Sequence, residues 1–247
     1  MRGPLAAVLA LWRLARLVVH VVHGLLIVWL RFPGLAKPER HARIRWWSAK
    51  MLRLLGIELR VSGQGRPGAK LVIANHVSWL DIAAMHAVLP EARFVSKSDI
   101  KHWPVVGMLV RGVDTLFIER ASKRDALRVV HQTAEALKRG DTVAVFPEGT
   151  TGAGPEPLPF HANLLQAAIA TELPIQPLAL RWHEPDQRFS TAARFIGDTT
   201  LLQSLWWVAS ARGLGVEIRV LPAEATAHAD RRALAEHLRT KIVEALA

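Results

Sequence analysis

The chain has 247 residues, 51% of them hydrophobic and 21% charged, which is enough for one large α/β domain and too apolar for intrinsic disorder. It contains no cysteine, which excludes a disulfide framework, cysteine-ligated zinc, iron–sulfur clusters and any thiol nucleophile. Lys and Arg number 32 against 21 Asp and Glu, leaving a formal charge of +11 that attracts polyanions. Nine tryptophans, a residue favoured at membrane–water interfaces, direct that expectation toward an anionic membrane surface and not nucleic acid.

Residues 5–32 form an apolar run long enough to cross a bilayer as a helix, interrupted by Arg13, Arg16, His20 and His23. The expectation is a helical membrane anchor, spanning or lying half-in, with the two histidines facing a partner helix or the interface. A second helix is expected from Pro38 to Leu55, stopped by Gly56. On it Ile44, Trp47, Met51, Leu54 and Leu55 gather on one side, and basic residues occupy the rest. Residues 1–56 thus read as an N-terminal helical membrane-anchoring region, and 57–247 as one domain.

From Ile57 the pattern becomes short β-rich runs alternating with helices. Strands are expected at Ile57–Val61, Leu71–Ala74, Arg93–Val95, Thr115–Ile118, Thr142–Phe146, Ile175–Arg181 and Val216–Leu221. The clearest helix between them runs from Ser122 to Lys138, with Gly140 after its end. The fold class is α/β, a mixed, mostly parallel sheet flanked by helices behind the N-terminal anchor. Pro174 and Pro177 flank a short apolar stretch and by themselves signal an edge strand.

Several familiar sites are absent from the sequence. There is no G-x-S-x-G elbow and no H-E-x-x-H, and the near P-loop from Gly63 to Lys70 has Ala69 where the lysine belongs. Chemistry is better placed in Asn75-His76-Val77-Ser78-Trp79-Leu80-Asp81, which follows an apolar strand and opens a helix. Ligands of open α/β sheets bind beyond the carboxyl ends of strands. If Ser78 caps the helix, Asp81 falls in its first turn and can meet one imidazole nitrogen of His76, leaving the other as a general base. The same residues spell a near capping box that needs no catalysis. Phe146-Pro147-Glu148-Gly149-Thr150 also follows an apolar strand, and the amides of Gly149 and Thr150 would line an anion or carbonyl site. Phe117-Ile118-Glu119-Arg120 delivers an arginine at a strand's carboxyl end, suited to phosphate or to an ion pair.

In this order the segments resemble the glycerolipid acyltransferases, specifically the 1-acylglycerol-3-phosphate (lysophosphatidic acid) O-acyltransferase family. The N-H-x-x-x-x-D block is matched by Asn75, His76 and Asp81, the F-I-x-R ending by Phe117, Ile118 and Arg120, and F-P-E-G-T by Phe146 to Thr150. A proline pair around a hydrophobic residue is matched by Pro174 and Pro177. Two positions depart: Asp114 stands where a glycine commonly opens the second block, and Thr151 where an arginine often follows the third.

The resemblance implies acyl transfer from an acyl-carrier-protein or acyl-coenzyme A thioester to the free hydroxyl of a lysophospholipid, at the cytoplasmic face of the inner membrane, with no metal and no bound cofactor. It implies His76 as base oriented by Asp81, Arg120 with Lys97 on the acceptor phosphate, and Glu148 with Gly149 shaping the acceptor or oxyanion site. A lyso-ornithine lipid acceptor, which carries no phosphate, fits the two departures.

Overall fold

The computed structural model describes residues 4–118 and 123–247. Two helices lead: α1 (Pro4–Leu26), continued by a π turn and a 3-10 turn to Gly34, and α2 (Lys37–Leu54). There follow β1 (Glu58–Ser62), β2 (Lys70–Ala74), α3 (Leu80–Val88), β3 (Ala92–Lys97), α4 (Val106–Gly112), β4 (Leu116–Ile118) and α5 (Lys123–Lys138). The rest is β5 (Thr142–Val145), α6 (Gln166–Thr171), β6 (Ile175–His183), α7 (Leu201–Ser210), β7 (Gly215–Val220) and α8 (Arg231–Leu246). Each strand expected from the sequence is present within two residues of its expected bounds.

The strands form one seven-stranded sheet of order β1-β7-β6-β2-β5-β3-β4. Five of its six pairings are parallel, and only β6 with β7 is antiparallel. Central strands of such a sheet are covered on both faces, which is why β2 (KLVIA) and β5 (TVAV) are buried at every position. One apolar layer joins Met51, Leu52 and Leu55 to Leu80, Met85 and Val208. The opposite layer joins Ala136, Leu137 and Ala168 to Leu238 and Ile242 of α8. The N-terminal helices therefore pack on the same core as the sheet.

The proline pair does not mark an edge. Strand β6 lies inside the sheet between β7 and β2. It tolerates Pro177 because the ladder to β7 breaks there: Ile175 bridges Glu224 while Leu178 pairs Val220, so the β7 side carries one extra residue. Such a bulge leaves no partner waiting for the missing proline N–H. Gln176 fills the gap, accepting the Arg66 N–H at 2.6 Å and donating to the Leu221 carbonyl.

The polar residues that interrupt the N-terminal run have defined partners. Arg13 donates to the carbonyls of Ala209 and Ala211 at 2.9 and 2.7 Å, at the C-terminal end of α7, where unpaired carbonyls and the helix dipole favour a cation. His20 lies stacked on Trp47 with ring centroids 5.0 Å apart. The two also exchange main-chain bonds, His20 Nε2 donating to the Trp47 carbonyl and Trp47 Nε1 to the His20 carbonyl. Gly24 makes this crossing possible, since a Cβ there would lie 2.4 Å from the Trp47 indole nitrogen. The histidine thus faces a partner helix, as expected. The outer face of α1, with Leu5, Val8, Leu11, Trp12, Val18, Val19 and Val22, is exposed. Only 22% of the most apolar stretch is buried, so α1 is not a core helix, and by length and composition it suffices to cross a membrane.

Candidate active site

Strands β2 and β5 pair in parallel from Lys70↔Thr142 to Ile73↔Val145, so their carboxyl ends open side by side at one edge of the sheet. His76 leaves β2 there and Glu148 leaves β5. This is the position at which open α/β sheets bind ligands.

Asp81, in the first turn of α3, is fully buried and reaches back to His76, with Nδ1 2.8 Å from Oδ2. The same oxygen accepts the main-chain N–H groups of Val77 and Ser78 at 2.7 and 2.9 Å. Oδ1 accepts the indole N–H of Trp182 at 2.6 Å. With three fixed N–H donors converging on it, the carboxylate offers His76 only an acceptor, which places a proton on His76 Nδ1 and a lone pair on Nε2. The His76 side chain keeps 17% exposure, and its ring lies flat on Phe146 with centroids 3.8 Å apart. The stack continues to Phe94 and then edge-on to His86.

Ser78 and Asp81 together cap the start of α3. The Ser78 hydroxyl accepts the Leu80 N–H at 3.3 Å, and Asp81 takes the Ser78 N–H. The carboxylate thus serves the helix start and the imidazole together, so the capping and histidine-orienting readings of this segment are one arrangement.

Glu148 braces the same loop from the other side. Oε1 accepts the His76 N–H at 2.6 Å, and Oε2 accepts the Leu158 N–H at 2.7 Å. Burial pushes its carboxyl up to about 7, against the opposing pull of the two main-chain donors. Gly152 passes close by, its N–H donating to the His76 carbonyl at 2.7 Å, and a Cβ there would come to 3.0 Å from Glu148 Oε2.

The remaining sequence-predicted residues fall in different places. Asn75 is buried, and its amide makes two bonds to one residue, donating to the Leu180 carbonyl at 2.9 Å and accepting the Leu180 N–H at 2.8 Å. Pro147 is buried in the turn that ends β5, and Thr150 is exposed just beyond it. The Gly149 N–H closes this turn onto the Phe146 carbonyl, so it is not the outward-facing donor expected of it. Pro177 lies within β6, and Pro174 immediately precedes it. The Pro174 carbonyl accepts the Leu71 N–H, three residues and therefore about 10 Å of strand below the carboxyl end of β2 from which His76 leaves. Lys97 ends β3 level with Ile118 of β4. Phe117 lines a small cavity of about 100 Å³ with Ser98, Lys101, Arg128 and Gln132. Arg120 lies outside the described residues.

The two departures from the family pattern have local explanations. Asp114 adopts φ +54°, the left-handed region that glycine enters freely and aspartate tolerates. Its glycine counterpart therefore has a backbone reason. Thr151 turns its hydroxyl onto the Phe195 carbonyl. Two residues of this site went unread in the sequence. Trp182 is separated from Asp81 by 101 residues, and Gly152 follows the third block without a motif of its own.

A partly exposed histidine held by a buried carboxylate at the strand ends of a mostly parallel sheet suits proton transfer in acyl chemistry, and the acyltransferase family profile matches residues 58–181. The chain belongs to the 1-acylglycerol-3-phosphate and lysolipid O-acyltransferase family. A lyso-ornithine lipid O-acyltransferase of Pseudomonas aeruginosa is 36% identical over 245 residues, covering 96% of this chain and 93% of that protein. A 1-acyl-sn-glycerol-3-phosphate acyltransferase of Neisseria gonorrhoeae is 38% identical over 189 residues, covering 76% of this chain and 73% of its own. The crystal structure of the 1-acyl-sn-glycerophosphate acyltransferase PlsC from Thermotoga maritima shares the fold, with a TM-score of 0.75 over 100% of this chain and 96% of that one at 19% identity.

Proposed function

We propose that the protein transfers a fatty acyl group from an acyl thioester to the free hydroxyl of 1-acylglycerol-3-phosphate, giving phosphatidic acid. The observation that carries the reading is the His76–Asp81 pair, with Nδ1 held at 2.8 Å and Nε2 left as the basic nitrogen. Nε2 takes the proton of the acceptor hydroxyl as its oxygen attacks the thioester carbonyl. Collapse of the tetrahedral intermediate breaks the carbon–sulfur bond, and the imidazolium returns the proton to the leaving thiolate. Glu148 and Asn75 serve as positioning residues, one fixing the main chain of His76 and the other the strand beneath it.

Residues 1–56 act as the membrane-anchoring region and 57–247 as the acyltransferase domain. The exposed apolar face of α1 and the basic charge support a place at an anionic bilayer surface, the cytoplasmic face of the inner membrane, where lysolipid and thioester meet. In this reading Lys97 and Arg120 hold the acceptor phosphate. A second reading, a lyso-ornithine lipid as acceptor, is favoured by the near full-length similarity to the Pseudomonas protein and by Thr151, which supplies no cation where the family often has arginine.

The deciding experiment offers membranes containing the protein each lysolipid separately, with acyl-carrier-protein and coenzyme A thioesters. Phosphatidic acid from lysophosphatidic acid supports the first reading. Product from the lyso-ornithine lipid alone would replace it and discard the phosphate role of Arg120 and Lys97.

A further inference from the structure

The indole of Trp182 is 2% exposed, and its single donor is spent on Asp81 Oδ1 at 2.6 Å. The sheet places it there. Trp182 pairs with Val216 of β7, and the Asn75 clamp fixes Leu180, two residues earlier, to the strand that carries His76. The Ser190 N–H holds the Trp182 carbonyl at 2.8 Å.

The terminal torsion of an aspartate is soft, so a carboxylate held through one oxygen can rotate. Oδ2 carries three donors, His76 among them, and Oδ1 is fixed by the indole. The indole bond also draws off part of the negative charge that Asp81 presents to His76. We propose that Trp182 is a positioning residue for acyl transfer, fixing the rotation of the Asp81 carboxylate and, through it, the aim and basicity of His76. The inference rests on the reading of His76 as the base.

Trp182→Phe removes the N–H while keeping a ring in the space. The expected result is a fall in kcat of about tenfold with KM for acceptor and thioester unchanged. The acid limb of kcat/KM moves to higher pH, because the unshared charge on Asp81 favours protonated His76. Glu148 feels the charges of both Asp81 and His76, so the ring resonances of His76 are followed alongside the limb to assign the shift to the imidazole. Val216→Ala is the packing control: it disturbs the residue opposite the indole, keeps the N–H, and leaves the limb in place.

Should Trp182→Phe fail to fold, the indole proton of Trp182 in the unaltered protein gives the second measurement. It should exchange slowly and its resonance should move with the midpoint of the limb. A variant with unchanged kcat and limb, or an indole resonance indifferent to pH, overturns the proposal. His76→Ala separates the two failures: if it keeps turnover, the base reading has failed, and if it loses turnover while Trp182→Phe is normal, only the role of Trp182 has.

Discussion

Replacing Asp81 by asparagine changes one oxygen to an NH2 group, and no orientation of that amide suits the site. If the NH2 replaces Oδ2, it faces the N–H groups of Val77 and Ser78, which donate at 2.7 and 2.9 Å. If it replaces Oδ1, it faces the Trp182 indole at 2.6 Å. Each orphaned buried donor costs about 1–3 kcal/mol, so the variant should lose roughly 3 kcal/mol, within the 5–15 kcal/mol typical of a folded domain. With the NH2 toward His76, the imidazole becomes an acceptor at Nδ1 and carries its proton on Nε2, the wrong tautomer for a base. With the NH2 toward Trp182, the tautomer is kept, but the neutral amide no longer supplies the negative charge that orients and stabilises the imidazolium. Loss of that orientation in a histidine-dependent acyl transfer costs on the order of 10⁴ in kcat. Thermal melts should show a destabilised but folded protein, and steady-state acyl transfer should fall by about 10³–10⁴ with KM little changed. A folded Asp81→Asn protein with kcat within about tenfold of the parent would refute the assigned roles of Asp81 and His76.

His86 is pushed down to about 4 by burial, and neither ring nitrogen has a partner among the described residues. The folded chain admits only the neutral ring, so the associated stability is whole above pH 6.5 and is lost as pH falls toward 4, by about 3 kcal/mol. Urea melts of His86→Leu and the parent should therefore diverge on acidification, and an equal difference at pH 4.5 and 7.5 would contradict this. Asn75→Ala removes both bonds to Leu180 and should cost about 3 kcal/mol while leaving KM for the lysolipid unchanged. A raised KM without loss of stability would instead make Asn75 an acceptor contact.

The sheet was legible because buried parallel strands read as short apolar runs between helical periods, as in LVIA and TVAV. Strand direction was not: nothing local tells that β7 runs against β6, and Pro177 suggested an edge because the bulge that accommodates it involves residues some 45 positions away. His76, Asp81 and Glu148 were visible through motif spacing. The work of each was visible only in part, since Asp81 binds Trp182 across the sheet and Glu148 spends both oxygens on main-chain N–H groups. Asn75 shows the limit most plainly: the motif marks it, and long-range pairing with Leu180 explains it. Arg13 read as an interruption of an apolar helix because its partners, the carbonyls of Ala209 and Ala211, lie nearly the whole chain away.

The central claim is that His76 is the base, and His76→Ala tests it most directly. Turnover with the preferred lysolipid and thioester should fall by about 10³-fold or more, while the fraction of protein bound to anionic vesicles stays at the parent's level. Turnover within about tenfold of the parent would contradict the mechanism.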